Sequence, residues 1–397
     1  MRDDGNWGDG HRLLFVVNES FFFYSHRLAV ARAAKKLGFA VHVAAPPDHV
    51  WAPRDFTVAR LHDEGFVFHP IPLQRRGRNP IADLRTLTAL ARLYRSLRPH
   101  VLHHLTIKPV LYGGIVARLL RVPAVVNAVT GLGHAFSAGD LPARVVRHGV
   151  ARAYRWSMGN PRCRVIVQNA EDGEVLVAMG AAGADRIRLI RGSGVPLAEF
   201  PPVPEPDGPP LVVLPARLIW EKGIAEFVEA ARRLKGEGVA ARFALLGDVK
   251  SNYPRAVPQS AVEAWQAEGI VEWWGRREDM PEVYAQSHVV CLPTTYGEGV
   301  PRVLIEAAAC GRAVVTSDVA GCNDIVRDGI NGLLVPPGDV DALTAALRRL
   351  LLDVALRQRL GAGGQRIAAE EFSLEQVVAQ TLAVYRELLA PSVDAGR

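Results

Sequence analysis

Apolar and polar positions in the first half of the chain form short β-rich runs separated by stretches of helical period. Seven runs predict strands, namely LLFVVN, AVHVAA, FVFHPIPL, VLHHLT, PAVVNAVT, CRVIVQN and RIRLIR. Between them, apolar residues recur every three or four positions, which predicts amphipathic helices. Strands that alternate with helices predict a parallel sheet covered by helices on both faces.

A proline-rich segment, GSGVPLAEFPPVPEPDGPP, interrupts this alternation and can continue neither a helix nor a central strand. The alternation then restarts with LVVLPARL, RFALLG, IVEWWG, HVVCLPT, AVVTSD and GLLVPP, which predicts a second α/β sheet. We therefore expect a Rossmann-like domain over residues 1–191, a linker over 192–210, a second Rossmann-like domain over 211–370 and a terminal helix over 371–397.

The composition is that of a folded protein with more than one domain: 397 residues, 49% of them hydrophobic and 22% charged. Four scattered cysteines without a C-x-x-C pair argue against a disulfide framework or a zinc site and favour a reducing cytoplasm. The acidic start MRDDGNWGDG does not resemble a signal peptide, and no window holds the roughly 18 apolar residues that span a bilayer. We expect a protein that is neither secreted by this route nor integral to a membrane.

Charge is divided unequally along the chain. Residues 1–200 contain 27 Lys and Arg against 15 Asp and Glu, whereas residues 201–397 contain 20 against 26. The basic first half is either an ordinary solvated surface or one that meets anionic lipid headgroups or a polyphosphate. Nucleic acid is a less favoured partner, because no known nucleic-acid module is present and the aromatic residues do not interleave with basic ones.

The densest chemical signal is the segment LPTTYGEGVPRVLIEAAACG. It predicts a strand end, a loop with Gly297 and Gly299, and a helix whose first position is Pro301. Such a geometry aims free N–H groups at a phosphate-sized anion. Glu298 and Glu306 are either a paired general acid and base, two solvated acids, or ligands for two hydroxyl-bearing parts of one extended molecule; the spacing favours the last over the first.

A second signal, LPARLIWEKG, places two cations in the turn after the first strand of the second domain. Arg217 and Lys222 opposite a helix N-terminus form a clamp for a diphosphate. Alone, an arginine and a lysine five residues apart are usually solvated surface.

Together these residues resemble the family 4 glycosyltransferases of the GT-B fold. The resemblance rests on ARLIWEKG, ALLGD, VVCLPTTYGEGVPRVLIEAAACGRAVVTSDVAGCNDIV and DGINGLLVPPGD, in that order. SHRLAVARAAKKLGFAVHVAAP and NAVTGLGHAF look like the bacterial enzymes of capsule, O-antigen and lipid-linked oligosaccharide assembly. The resemblance implies two doubly wound Rossmann-like domains facing a cleft, with C-terminal helices crossing back to the first, acceptor-binding domain.

The resemblance also implies roles. Arg217 and Lys222 would neutralise a diphosphate leaving group, Glu298 would hold hydroxyls of the donor sugar, and Glu306 would hold ribose. Further donor-binding residues would be Thr294, Gly297, Gly299, Val300, Pro301, Gly247, Gly275 and Arg276. A UDP-sugar is the expected donor, and the reaction retains anomeric configuration without a protein nucleophile. No metal or other cofactor is expected, because the cations do this work; the string DVD at Asp339 to Asp341 is better explained as a helix N-cap.

The aromatic segment NESFFFYSHRL is expected to lie on a strand-to-helix turn, and its lack of glycine points away from a nucleotide site and toward the acceptor. Its aromatic residues either line the acceptor entrance or pack beneath neighbouring loops. His103 and His104 alternate across a strand, so one should be buried while the other reaches the cleft. The expected acceptor-binding residues are Phe22, Phe23, Ser25, His26, Arg27, Lys108 and His134.

The leading hypothesis is a retaining hexosyltransferase that moves a sugar, an N-acetylhexosamine or related hexose, from a UDP-sugar to a polyprenyl-diphosphate-linked or other membrane-lipid acceptor. We expect it in the cytoplasm, peripherally associated with the inner face of the cell membrane. Alternatives are a UDP-sugar 2-epimerase of the same fold, a transferase with a soluble acceptor, and a nucleotide-sensing protein without turnover.

Overall fold

A computed structural model describes residues 6–47, 54–74, 79–131, 141–249 and 255–391. The chain divides into two compact units. The first unit takes the residues up to Ser193 together with those from Glu375 onward, and the second takes Gly194–Leu374. Each unit contains one parallel sheet in its described part.

The first unit holds a seven-stranded sheet in the order β3-β2-β1-β4-β5-β6-β7. All seven strands fall on the runs predicted from the sequence. They are β1 (Arg12–Val17), β2 (Ala40–Ala45), β3 (Val67–Pro70), β4 (Val101–Leu105), β5 (Val125–Val129), β6 (Cys163–Val167) and β7 (Ile187–Leu189). Central strands are buried on both sides: Phe15 faces one core cluster and Val16 faces another. That is why they are largely apolar.

Helices connect these strands. They are α1 (Ser20–Lys36), α2 (Arg54–Asp63), α3 (Pro80–Leu97), α4 (Gly114–Leu119), α5 (Leu141–Ser157) and α6 (Ala170–Ala178), with a short π-helical stretch, Pro109–Gly113, leading into α4. The aromatic segment expected on a turn is helical from Ser20 onward. With no glycine or proline to interrupt it, Phe21 to Tyr24 form the first turns of α1.

The second unit holds a six-stranded sheet in the order β10-β9-β8-β11-β12-β13. Its strands also fall on the predicted runs. They are β8 (Leu211–Pro215), β9 (Arg242–Leu246), β10 (Glu272–Trp273), β11 (Val289–Leu292), β12 (Ala313–Ser317) and β13 (Gly332–Val335). The doubly wound α/β architecture predicted for both halves is confirmed.

The helices of the second unit are α7 (Ile224–Gly236), α8 (Gln259–Ala267), α9 (Met280–Gln286), α10 (Arg302–Ala309), α11 (Cys322–Ile325), α12 (Val340–Leu352) and α13 (Val354–Glu371). Asp339 caps α12 by accepting a 2.9 Å hydrogen bond from the Ala342 N–H, so the expected N-cap is confirmed. The last helix, α14 (Leu374–Leu389), packs in the core of the first unit through Tyr385 and Leu388.

Candidate active site

The carboxyl edge of the second sheet gathers the residues expected to bind a donor. Strands β8 and β11 are neighbours there although β9 and β10 lie between them in sequence. Such a switch point leaves a crevice outside the carboxyl ends of the strands. The turn after β8 carries Arg217 and Lys222, and the loop after β11 carries Glu298.

The turn that carries Lys222 is packed tightly on the loop after β11. Gly223, at φ +74°, has no room for a side chain, because a Cβ would overlap the carbonyl oxygen of Pro293. Thr294, expected to bind the donor, is fully buried, and its hydroxyl donates to the Glu221 carbonyl at 3.0 Å. Thr294 therefore joins the two segments, and its side chain does not face a ligand.

Lys222 is buried and forms an ion pair with the partly buried Glu298. The ammonium lies 2.5 Å from both carboxylate oxygens, and the Lys222 residue is only 6% exposed. Its Nζ atom is 5.4 Å from the centroid of the Tyr296 ring. Burial alone would lower the pKa of Lys222, but attraction to Glu298 outweighs it and raises that pKa, while nearby Arg217 acts in the opposite direction. Lys222 is therefore cationic at neutral pH, with a second cation close by.

The loop after β11 is held from beneath by the loop after β12. The Glu298 N–H donates to the Ala320 carbonyl at 3.0 Å. Gly321 adopts φ +84°, and a Cβ there would overlap the carbonyl oxygens of Glu298 and Gly299. The backbone on either side of the Glu298 side chain is therefore set by direct contact with a neighbouring loop.

Helix α10 starts at Arg302, so Pro301 is its N-cap and not its first helical residue as expected. With φ −66° and ψ 120°, Pro301 turns the chain from the loop into the helix. Val300 beside it is buried. Among the described residues no side chain caps this end, which leaves the first amide groups of α10 at the carboxyl edge, where they can meet an anion.

Glu306 lies inside α10 and is 6% exposed. Tyr284, fully buried on α9, donates a 3.0 Å hydrogen bond to one carboxylate oxygen, and Arg302 donates a 2.7 Å bond to the other. Burial raises the pKa of Glu306, and Arg302 and Tyr284 partly offset that rise. The two donors hold the carboxylate in one orientation, and each of its oxygens has capacity for a further hydrogen bond.

Three of the expected donor-binding residues, Gly247, Gly275 and Arg276, lie just after the ends of β9 and β10. The Gly247 N–H donates to the Gly275 carbonyl at 2.8 Å, and the Trp273 indole donates to the Gly247 carbonyl at 3.0 Å. A Cβ at Gly247 would overlap the carbonyl oxygen of Ala216, next to Arg217. Arg276 is bonded to an acidic neighbour on its own loop, Glu278. The structure thus brings these glycines to the same edge as the ion pair.

The expected acceptor residues on α1 separate into two sets. Phe23 is fully buried against Phe15 and Phe66, so it is a core residue and not part of an acceptor surface. Phe22 and His26 are partly exposed and stacked, with ring centroids 4.4 Å apart. The hydroxyl of Ser25, also partly exposed, lies 2.6 Å from the His26 ring. Only this second set has surface to offer a ligand.

Arg27 also points inward and is 4% exposed. Its Nη1 donates to the neighbouring His26 carbonyl, and its Nε has no hydrogen-bond partner among the described residues. Beside it, His103 is buried with Nδ1 2.5 Å from the Tyr385 hydroxyl. Burial lowers the pKa of Arg27 to about 10, so the guanidinium still carries its charge at neutral pH. Its expected place at an acceptor surface is contradicted by this burial.

Replacing Arg27 by methionine should increase the stability of the protein. A pKa lowered by this much corresponds to about 3 kcal/mol of destabilisation at neutral pH, which a neutral side chain of similar length would remove. We expect the free energy of unfolding in urea to rise by about 1–3 kcal/mol for Arg27→Met. The exposed control Arg152→Met should change it by less than about 0.5 kcal/mol. A loss of stability in Arg27→Met would show that interactions of the guanidinium in the folded protein outweigh the cost of burying its charge.

The remaining candidate residues of the first unit lie in β4 and in the loop after it. Lys108, after β4, is paired with Asp83 of α3 at 3.3 Å. His104 bonds Tyr94 at 2.9 Å and Asn127 at 2.7 Å. Both His103 and His104 are buried, so the expectation that one of them reaches a cleft is wrong. His134 lies outside the described residues.

Three residues that support the site, Tyr284, Tyr296 and Gly321, were not named from the sequence. Tyr296 lies in the segment LPTTYGEGVPRVLIEAAACG, and its position as an aromatic residue next to Gly297 and near Gly299 was the one available signal. Gly321 was visible only as a glycine near the end of the longer segment VVCLPTTYGEGVPRVLIEAAACGRAVVTSDVAGCNDIV, and Tyr284 gave no signal, because each acts through a contact between segments that are distant in sequence.

Two family models match this chain. One, described as "Glycosyl transferases group 1", covers residues 209–353, and the other, "Glycosyl transferase 4-like", covers residues 12–158. The chain belongs to these glycosyltransferases and has their GT-B fold, as the resemblance implied. It is therefore an enzyme that transfers a glycosyl group.

Among similar proteins, the N,N'-diacetylbacillosaminyl-diphospho-undecaprenol alpha-1,3-N-acetylgalactosaminyltransferase of Campylobacter jejuni is 26% identical over 93% of this chain and 96% of its own. The UDP-Gal:alpha-D-GlcNAc-diphosphoundecaprenol alpha-1,3-galactosyltransferase of Escherichia coli is 26% identical over 72% and 75%. A crystal structure of a glycosyltransferase from Rickettsia africae shares the fold, with a TM-score of 0.77 at 18% identity over 96% and 99%.

Across the described ranges, no helix combines the length and the apolar character that a membrane span requires.

Proposed function

We propose that this glycosyltransferase moves a hexose or N-acetylhexosamine from a UDP-sugar to a polyprenyl-diphosphate-linked acceptor, forming an α-linkage with retention. The observation that carries the proposal is the ion pair of the buried Lys222 with Glu298, beside Arg217, at the edge where α10 begins. The two relatives support it, because both are named for α-transfer to diphosphoundecaprenol-linked sugars and one for a UDP-sugar donor.

The second unit would hold the donor through four kinds of group. Arg217 and Lys222 would face the diphosphate together with the amides of Gly299, Val300 and the first turn of α10, since cations and a helix N-terminus both favour an anion. The carboxylate of Glu306, already oriented by two donors, would accept hydrogen bonds from the ribose hydroxyls. The backbone around Gly247 and Gly275, with Arg276 at its rim, would meet the base.

Donor binding would rearrange the Lys222–Glu298 pair. A diphosphate carries charge that competes with Glu298 for the ammonium, and the freed carboxylate can then accept hydrogen bonds from sugar hydroxyls. The loop backbone is held by Ala320 and Gly321, so this exchange needs only side-chain motion. Donor binding would thus place Lys222 against the diphosphate leaving group and Glu298 against the sugar in the same rearrangement.

In the reaction, the bond between the anomeric carbon and the diphosphate oxygen breaks as the acceptor hydroxyl oxygen bonds to the same carbon on the same face. The hydroxyl proton passes to the departing phosphate. Charge develops on the leaving diphosphate, where Lys222 and Arg217 stabilise it. Such preorganised stabilisation contributes about 3 kcal/mol for each well-placed donor.

The first unit would hold the acceptor. Its partly exposed Phe22, Ser25 and His26 on α1 and Lys108 after β4 follow neighbouring strands of one carboxyl edge. We assign residues 192–210 as the linker between the two Rossmann-like domains. We also propose that the enzyme works at the inner face of the cell membrane, where lipid-linked acceptors are found.

The test is sugar transfer by the purified protein from a panel of UDP-sugars to a short-chain polyprenyl-diphosphate sugar. We expect one donor to give a product with an α-linkage by NMR, at a rate that depends on both substrates. Each donor is also incubated without acceptor. Formation of an epimer in that control, or transfer to soluble sugars alone, would contradict the proposal.

A further inference from the structure

One face of helix α3 is exposed and follows helical spacing. It begins with two apolar side chains, Ile81 and Leu84, which are 66% and 61% exposed. Basic and small polar residues continue the same stripe toward the end of the helix. The exposed face consists of Ile81, Leu84, Arg85, Thr88, Arg92 and Arg95.

The three arginines of this face make no ion pair or side-chain hydrogen bond with any residue that the structure describes. Several other surface arginines of the first unit are paired, as Arg32 is with Glu64 and as Arg164 and Arg188 are with Glu387. The one acidic residue of α3, Asp83, is engaged by Lys108. The face therefore presents unpaired positive charge beside exposed apolar surface, which suits an anionic partner with an apolar interior.

The apolar end of this face lies at a particular edge of the sheet. Helix α3 begins after β3, so Ile81 and Leu84 are at the carboxyl edge, where α1 also begins. The Asp83–Lys108 bond brings the loop after β4 next to them, and in that loop Ile107 is 39% exposed. By contrast Leu119, 64% exposed, ends α4 at the opposite, amino edge.

We propose that this face of α3 docks on an anionic lipid bilayer, with Ile81, Leu84 and Ile107 entering the interfacial layer and the arginines on the headgroups. Apolar side chains beside unpaired cations are the composition that binds such interfaces. The binding of α3 to lipid does not depend on the proposed function, but its biological role does. Docking would bring the acceptor-side edge of the first unit to the lipid that carries the acceptor.

Binding is measured by sedimentation with vesicles of phosphatidylethanolamine and phosphatidylglycerol, without donor or acceptor. We expect Ile81→Ser/Leu84→Ser to lower the partition coefficient at least about tenfold. Arg85→Gln/Arg92→Gln/Arg95→Gln should also lower it at least about tenfold and flatten its dependence on salt, since each arginine near an anionic surface adds about fivefold. Phosphatidylcholine vesicles should bind the wild-type protein weakly.

Two matched controls remove an apolar side chain or three positive charges at positions outside the α3 face. Leu119→Ser removes an equally exposed leucine at the amino edge, and Arg152→Gln/Arg359→Gln/Arg366→Gln removes the same net charge from other exposed positions. Both should bind vesicles within about twofold of wild type. All variants should transfer sugar to a detergent-dispersed short-chain acceptor at the wild-type rate.

The outcomes separate the two proposals. Absence of wild-type binding, equal losses in the controls, or undiminished binding of the α3 variants would each overturn the inference; the last would mean that another surface of the protein binds the vesicles. Vesicle binding that depends on α3, in a protein that uses no lipid-linked acceptor, would uphold the inference and refute the proposed function.

Discussion

Lys222→Met is expected to lower the turnover number of sugar transfer by about 100- to 1,000-fold. The variant keeps the length of the side chain but loses the cation that would face the leaving diphosphate, an interaction that matters most when the bond breaks. The KM for the donor should change far less than the turnover number. Steady-state kinetics with the donor identified in the transfer assay measures both.

Stability must be separated from chemistry in this variant, because Lys222→Met leaves Glu298 without its ion-pair partner. The double variant Lys222→Met/Glu298→Gln removes both charges, so we expect it to recover much of the lost stability and none of the activity. Lys36→Met, at an exposed position on α1, controls for loss of a lysine. Recovery of turnover in the double variant would show that Lys222 serves only to balance Glu298.

Gly321→Ala is expected to reduce transfer at least about 100-fold while the protein remains folded. The new Cβ would overlap the carbonyl oxygens of Glu298 and Gly299, so the loop that carries the carboxylate must move. A misplacement of about 1 Å at a reacting group can cost that much. Turnover, donor affinity by calorimetry and the urea midpoint should be measured together.

Gly329→Ala is the matched control. Gly329 also has a left-handed backbone, at φ +69°, but a Cβ there would meet nothing within 4 Å. Both variants therefore place an alanine at a positive φ, which strains the backbone by about 1 kcal/mol or more, and only in Gly321→Ala does the new Cβ also overlap the loop. Equal transfer rates in Gly321→Ala and Gly329→Ala would show that the contact between Gly321 and the loop of Glu298 is not needed for activity.

Strands were the most predictable part of this molecule. Every described strand coincides with a predicted run. The central strands are largely apolar because helices cover both of their faces. The loop and helix around Glu298 and Glu306 were also visible, since glycines, proline and carboxylates within one short segment report local geometry. Lys222 and Arg217 could be named for the same reason.

Side-chain direction was less predictable. Phe23 and Arg27 were placed on a ligand surface because the segment around them was taken for a turn; as part of α1, they face the sheet. A helix has an inner and an outer side, and which residues face inward depends on the partner it packs against. A buried arginine without a carboxylate goes against the usual pattern, so composition would not suggest it.

The sequence by itself determined the two α/β sheets and the residue types that mark a nucleotide-sugar transferase, because these depend on periodicity and short-range spacing. The tertiary structure alone decided that Lys222 pairs with Glu298, that Tyr284 and Arg302 orient Glu306, and that Gly321 supports the loop. Most of these contacts join segments far apart in the chain. They exist only because parallel strands bring their carboxyl ends to one edge, where residues distant in sequence become neighbours.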